Sequence, residues 1–470
     1  MTKATIAGAA LAIALVLLAL AAGYWAFGPG GDPALAFTRF LHGNLDREVD
    51  PEAATSPAGT SSAAGTPSPD GTHQGLLYAR VTTDAGAAYE GRLRWGGSEE
   101  AVWGNYFNGF KDENPWAAYV PPALLPKERV SIGAFGFEIA GWNRAIDLGR
   151  PFMVRFGDIA LIEPRGRDIR VTLKSGAMYE LDRFSADDLA DSVRVWDATG
   201  GSVSIGEWRI RAIEFLPSPG SRAGPQPLHG TVKTPQGEFT GLIQWDREEC
   251  LVTDELHGHT TDAEVRLRFD TIRSIVRRAP DSSLVTLRDG REILLTGGRE
   301  AARGNRGTYV DDPRYGRVLI SWDAFERVDF DPGGTGPAYD DFPPGRPITG
   351  SVSTRSGRRF SGTLAYDLDE SETTETLDAP WQGVDYTIPF GLVASIVLPE
   401  LEERGSLHAG VTLHGGEELR LALTGDLGEG NLGMLIFVDD DRRPQYVPWG
   451  DVERIDFDRP AEMYPPNGSR

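Results

Sequence analysis

His257-Gly-His259 stands with Asp254, Glu255 and Asp262 close by. Imidazole and carboxylate together form a donor set that zinc and copper accept. The spacing fits no established ligand pattern, and the sibling loops near Leu377–Gln382 and Asn105–Gly109 carry no histidine. The plainer reading is a solvated loop. His257 and His259 stay as metal candidates, and no cofactor is expected. Carboxylates recur in other loops: Asp246 with Glu248 and Glu249, Asp311-Asp312, Asp340-Asp341, Asp367 with Asp369, Glu370 and Glu372, and Asp439-Asp440-Asp441. Oxygen-rich loops hold calcium, but none of these matches an Asp-x-Asp-x-Asp-Gly loop, and acidic runs commonly just stay solvated.

No catalytic set stands out. Gly-x-Ser-x-Gly, Gly-x-x-x-x-Gly-Lys-(Ser/Thr) and His-Glu-x-x-His are all absent. The seven histidines are dispersed. The many carboxylates leave a hydrolase pair open without singling one out, so an enzyme is not expected. Cys250 is the only cysteine, which excludes an intramolecular disulfide and a Cys-rich metal site. Its neighbours Glu248 and Glu249 oppose the electropositive setting that a reactive thiol needs. A net charge of -22, with basic residues set singly between acids, argues against nucleic acid as a partner.

Aromatic residues crowd the stretch 96–152, among them Trp103, Tyr106, Phe107, Phe110 and Trp116. A unique aromatic insertion suggests an interaction surface, since aromatics dominate interface energetics. The preferred reading is the plainer one, that it builds its own small core against the first barrel.

These residues sit on a repeating frame. Val-x-(Leu/Thr)-x-x-Gly recurs at Val81/Gly86, Val171/Gly176, Val232/Gly237, Val285/Gly290, Val352/Gly357 and Val411/Gly416. Alternating apolar residues around each copy read as two strands, and the Gly falls where a tight hairpin needs positive φ. A second Gly inside the strand (Gly91, Gly241, Gly362) marks a bulge or bend. Each copy closes on apolar-x-aromatic-x-x-apolar-x-x-apolar, as at Leu267/Phe269/Ile272/Ile275 and Ile388/Phe390/Val393/Ile396, with Glu207 replacing the aromatic once. That spacing predicts one turn of 3₁₀-helix and a last strand.

The expected fold is all-β. Three tandem repeats, at 76–218 with the insertion 96–152, 227–332 and 347–458, each hold two halves, and a tail follows at 459–470. Halves this small are marginal alone, so the two should pack as one unit. Joints rich in Pro and Gly, at Pro217–Pro227 and Pro332–Pro347, should separate the repeats and be open to protease.

Gly357-x-x-Phe360-x-Gly362-x-Leu364-x-x-Asp367 resembles the first motif of Sm-like proteins, and the element order resembles small five-stranded barrels of the Src-homology-three-like kind. The resemblance implies a barrel for each half. The Arg-Gly that Sm-like proteins turn to RNA is missing, so no RNA role carries over. Exported barrels of the Src-homology-three-like sort commonly bind peptides or cell-wall glycans, which makes such partners an expectation by analogy.

Ahead of the repeats, an uncharged run from Ala4 to Phe27 follows Lys3 and ends in Tyr24, Trp25 and Phe27. It is long enough to span a bilayer as a helix, with aromatics at the interface. Residues 1–31 are read as a single-pass anchor with a cytoplasmic N-terminus; cleavage after Ala19-Leu20-Ala21 is the alternative. Residues 32–75, rich in Pro, Ala, Ser and Gly, read as a flexible spacer. The sequence thus leads to a non-enzymatic, membrane-anchored cell-envelope protein whose repeats bind or scaffold a partner outside the cytoplasm. A peptidoglycan- or polysaccharide-binding module and a carboxylate-dependent hydrolase are the alternatives.

Overall fold

The computed structural model describes residues 74–96, 99–111, 114–121, 131–132, 137–138, 150–183, 192–197, 201–219, 226–332, 336–400, 408–438 and 443–460. The predicted anchor and nearly all of the predicted spacer lie outside them. Among the described residues no helix is long and apolar enough to cross a membrane.

The protein is all-β, with antiparallel strands and short 3₁₀ turns. The first repeat supplies β1 (Tyr78–Thr83), β2 (Ala88–Trp95), β3 (Tyr106–Phe110), β4 (Ser131–Ile132), β5 (Phe137–Glu138), β6 (Pro151–Arg155), β7 (Ile159–Arg165), β8 (Asp168–Leu173), β9 (Met178–Asp182), β10 (Val193–Asp197), β11 (Gly201–Ile205) and β12 (Ile210–Phe215). The second supplies β13 (His229–Thr234), β14 (Gly237–Gln244), β15 (Glu255–His259), β16 (Glu264–Arg268), β17 (Ile272–Ala279), β18 (Ser282–Leu287), β19 (Glu292–Thr296), β20 (Thr308–Asp312), β21 (Gly316–Ile320) and β22 (Arg327–Phe330). The third supplies β23 (Thr349–Thr354), β24 (Arg359–Tyr366), β25 (Thr376–Trp381), β26 (Val384–Pro389), β27 (Val393–Val397), β28 (His408–Leu413), β29 (Glu418–Ala422), β30 (Met434–Phe437), β31 (Gln445–Val447) and β32 (Val452–Phe457).

Local chemistry explains these elements. All six turn glycines have positive φ, from 79° at Gly357 to 137° at Gly237. Five of the six closing patterns form a 3₁₀ turn, at Phe156–Asp158, Glu207–Arg209, Phe269–Thr271, Phe390–Leu392 and Trp449–Asp451. The mid-strand Gly241 answers to a close approach of backbones. A Cβ there would stand 2.0 Å from the Asp311 carbonyl oxygen of the neighbouring strand.

The pairing of the halves differs from the sequential reading. The opening hairpin β1–β2 does not pair with the next strands of its own half. It pairs with the end of the repeat: Val81 opposite Ile213 on β12, and Leu93 opposite Val195 on β10. The order β11-β10-β2-β1-β12 thus uses the first two and last three strands. The strands between form an inner set, in which β7, β8 and β9 pair in turn, β3 pairs with β6, and Lys111 bridges to Leu181 on β9. The second repeat divides the same way, into β13, β14, β20, β21 and β22 around β15–β19, and the third into β23, β24, β30, β31 and β32 around β25–β29. The two closing strands of each repeat join its inner and outer sets, as where Ile162 on β7 faces Ile213 on β12. Both halves carry the same alternation, so periodicity alone could not tell which half a hairpin would join.

The repeats also merge. β21 pairs with β26, which makes a ten-stranded sheet spanning the second and third repeats. One apolar core runs through both, with Trp245, Phe269, Tyr366 and Phe390 among its members. The first repeat has its own core around Trp95, Phe107 and Phe156. The expected joint near 340 is no open linker. Tyr339 and Phe342 are buried in the first repeat's core. Tyr339 Oη donates to the Ile159 carbonyl at 2.6 Å, and the Arg155 guanidinium lies 4.3 Å from the Phe342 ring centre.

Candidate functional site

After β14 the chain reverses on Asp246 and Arg247, at φ 49° and 64°, and Trp245 bridges to Glu249. Left-handed backbone at non-glycine residues persists only where the surroundings hold it. Here the fully buried Asp246 carboxylate does so. It accepts from the Arg306 backbone N–H at 2.6 Å and from Arg299 Nε at 3.0 Å. The third repeat copies the device. Asp367 and Leu368 have φ 52° and 54°, and the Asp367 carboxylate accepts from the Leu432 N–H and from Arg150. The first repeat has Gly96 at φ 56° instead.

This turn positions one wall of a cavity of about 400 Å³, lined among others by Glu248, Glu249, His257, His259, Glu264 and Arg299. Arg299 spans the turn, reaching Glu248 at 2.8 Å. His257 and His259 come from β15, and Glu264 from β16, where it faces His259. Glu300 supports the floor: its Oε2 accepts from the His257 backbone N–H at 2.6 Å, and its carbonyl accepts from Trp245 Nε1 at 3.0 Å. Glu249 is the unusual member. Its Oε2 is buried and has no hydrogen-bond partner in the structure. Burial first, then the Glu300 carboxylate, push its carboxyl up to about 9, so it is protonated at neutral pH. A protonated carboxyl is a hydrogen-bond donor. Burial also raises Glu300.

The two predicted histidines therefore do lie in a concave site. They are not brought together as metal ligands: among the described residues no group of three His, Cys, Asp or Glu side chains is arranged to hold an ion. Glu300 and Glu264 were not singled out in the sequence: Glu300 comes from the turn after β19, and Glu264 from the strand that forms a hairpin with β15. Cys250 is buried, and burial pushes its thiol well above the usual range.

The aromatic insertion packs largely into the first repeat rather than standing free as a surface. Trp103, Tyr106 and Phe107 are buried. Trp95 meets Phe107 edge to face at 5.7 Å, and Trp103 and Phe107 belong to the first repeat's core. Phe110 is exposed, and Trp116 is half-buried, packed 5.6 Å from Phe437 of the third repeat. The insertion docks on the acid loop of that repeat. Lys111 Nζ donates to Asp369 at 2.6 Å and to Glu375 at 3.2 Å, and Arg150 pairs with Asp367. Burial opposes the Lys111 ammonium, but Glu375, Asp369 and Glu370 outweigh it and hold it above its ordinary value. Of the acids that could have held calcium here, Asp367 and Asp369 hold the protein's own cations, and Glu372 accepts from Ser175 Oγ at 2.9 Å. The run Asp439–Asp441 lies outside the described residues.

No family model matches the chain, and no curated protein matches it. Among solved structures, one titled "Streptogramin B lyase structure" aligns at 12 % identity, over 64 % of this chain and 94 % of that one, with a TM-score of 0.10. That likeness carries no argument.

Proposed function

We propose that the chain is a non-enzymatic, membrane-anchored envelope protein whose strand sets are small barrels of the Src-homology-three-like kind, acting together as a binding platform outside the cytoplasm. Residues 1–31 anchor it and 32–75 space it from the bilayer. The cavity beside Glu249 carries the reading. Its Glu248 and Glu264 carboxylates suit the cations of a basic protein segment, and the protonated Glu249 can donate to a backbone carbonyl of that segment. The lining has no aromatic platform of the sort on which sugars stack, which weighs against the glycan-binding alternative. Membranes expressing the full chain test it. The protein should stay in the membrane pellet, be degraded by protease added to spheroplasts, and retain a basic partner that E264Q and E248Q release. Retention by purified cell wall instead would favour the glycan reading.

A carboxylate-dependent hydrolase is the second reading, favoured by the raised Glu249 carboxyl as a general acid. Cleavage of a glycan panel, abolished by E249Q, would support it; no cleavage removes it.

A further inference from the structure

One strand junction occurs in this chain at only one of the places where its parts are present. β21 pairs antiparallel with β26, placing Arg317 opposite Thr387, Val318 opposite Tyr386 and Leu319 opposite Asp385. β21 is the fourth strand of the outer set in repeat two, and β26 precedes the 3₁₀ turn of the inner set in repeat three. The same two parts exist one repeat earlier. β11 is the fourth outer strand of repeat one, and β16 precedes the 3₁₀ turn of the inner set in repeat two. Among the described residues β11 pairs only with β10, and β16 only with β15. Each therefore leaves one row of backbone donors and acceptors unused, the kind of edge that recruits another strand.

The sequences match the paired junction. β11 reads Gly201-Ser-Val203-Ser-Ile205 and β21 reads Gly316-Arg-Val318-Leu-Ile320. On the partner side, Leu267 and Phe269 take the places of Ile388 and Phe390. Carrying the observed register across places Ser202 opposite Arg266, Val203 opposite Val265 and Ser204 opposite Glu264. Ser202 and Ser204 are exposed, as are Glu264, Arg266 and Arg268, so no side chain must be uncovered. Charge agrees with this register. Arg194 stands beside Ser204 on β10, with its Nε 3.4 Å from Ser204 Oγ, and makes no ion pair among the described residues. Glu264 opposite Ser204 would complete a row of basic, small and acidic residues on one face, a favourable cross-strand arrangement.

We infer that β11 of one molecule pairs with β16 of a second copy in this register. The contact is head-to-tail: one edge meets a different edge. Such a contact does not end at two copies and builds rings or chains. β11 is the edge strand of an eight-stranded sheet, so the added strand extends an existing surface and needs no new core.

Full-length protein in detergent tests this with a short thiol cross-linker. S204C and E264C alter exposed positions, and the native Cys250 is buried. Mixing S204C with E264C should give at least ten-fold more cross-linked dimer than either alone, and S204C/E264C should give a ladder of higher species. Failure of the mixture to cross-link overturns the inference. So does S204C cross-linking to itself, which would mean a symmetric β11 contact, and so does a double variant that cross-links only within one molecule.

Discussion

Lys111 Nζ sits 2.6 Å from Asp369 Oδ1, so a residue of the first repeat's insertion is the counter-ion of the third repeat's acid loop. Both side chains are buried. Removing one partner of such a pair leaves an uncompensated charge, at a cost of about 3–5 kcal/mol. K111M should lower the urea midpoint accordingly. An unchanged midpoint would mean that the contact contributes nothing.

Stability should fall as pH rises from about 5 to 9. Burial raises Asp367 to about 7, Asp426 to about 8 and Glu249 to about 9. A raised carboxyl binds its proton more tightly folded than unfolded. Its contribution is whole below the unfolded value near 4 and disappears as pH climbs through the folded value. The ceiling for one such group is about 1.4 kcal/mol per pH unit, reduced by residual solvent. Thermal melts of wild type and E249Q would check this: the variant should lose less stability between pH 5 and 9.

Two glycines should fail for different reasons. A methyl group at Gly241 would strike the Asp311 carbonyl, whereas one at Gly290 meets open space but sits at φ 90°. G290A should cost about 1–2 kcal/mol, the left-handed backbone penalty. G241A should cost more, because two paired strands must part. Denaturation midpoints ranked the other way would contradict the close approach.

Protease should spare the stretch around residue 340. F342A empties a buried site beneath Arg155 and should cost about 3–5 kcal/mol. It should also expose the stretch to cutting near Tyr339. Mass spectrometry of timed digests reads both, and rapid wild-type cleavage there would refute the buried joint.

The strands, hairpin glycines and 3₁₀ turns were legible because each follows from neighbours within a few residues: Val232 with Gly237, Leu267 with Phe269. The partner of each hairpin was not legible. Val81 meets Ile213 rather than Ile162, and both belong to the same repeated pattern. The site divides likewise. His257 and His259 announced themselves by type. Glu300 reaches them only because β15 packs beside the stretch following β19, and no spacing encodes that. The aromatic insertion left core and surface both open because composition does not say which side of a ring faces water: Phe107 is wholly enclosed, while Phe110 is not.

The crossing of hairpins between halves has a consequence for how the polypeptide is made. As each repeat emerges, its opening ribbon has no companion beyond itself until the last three strands arrive, while the central segment between them can already assemble. Every repeat must therefore be completed from the middle outward, and a chain cut short before Phe215, Phe330 or Phe457 would leave its earliest-born residues unclaimed.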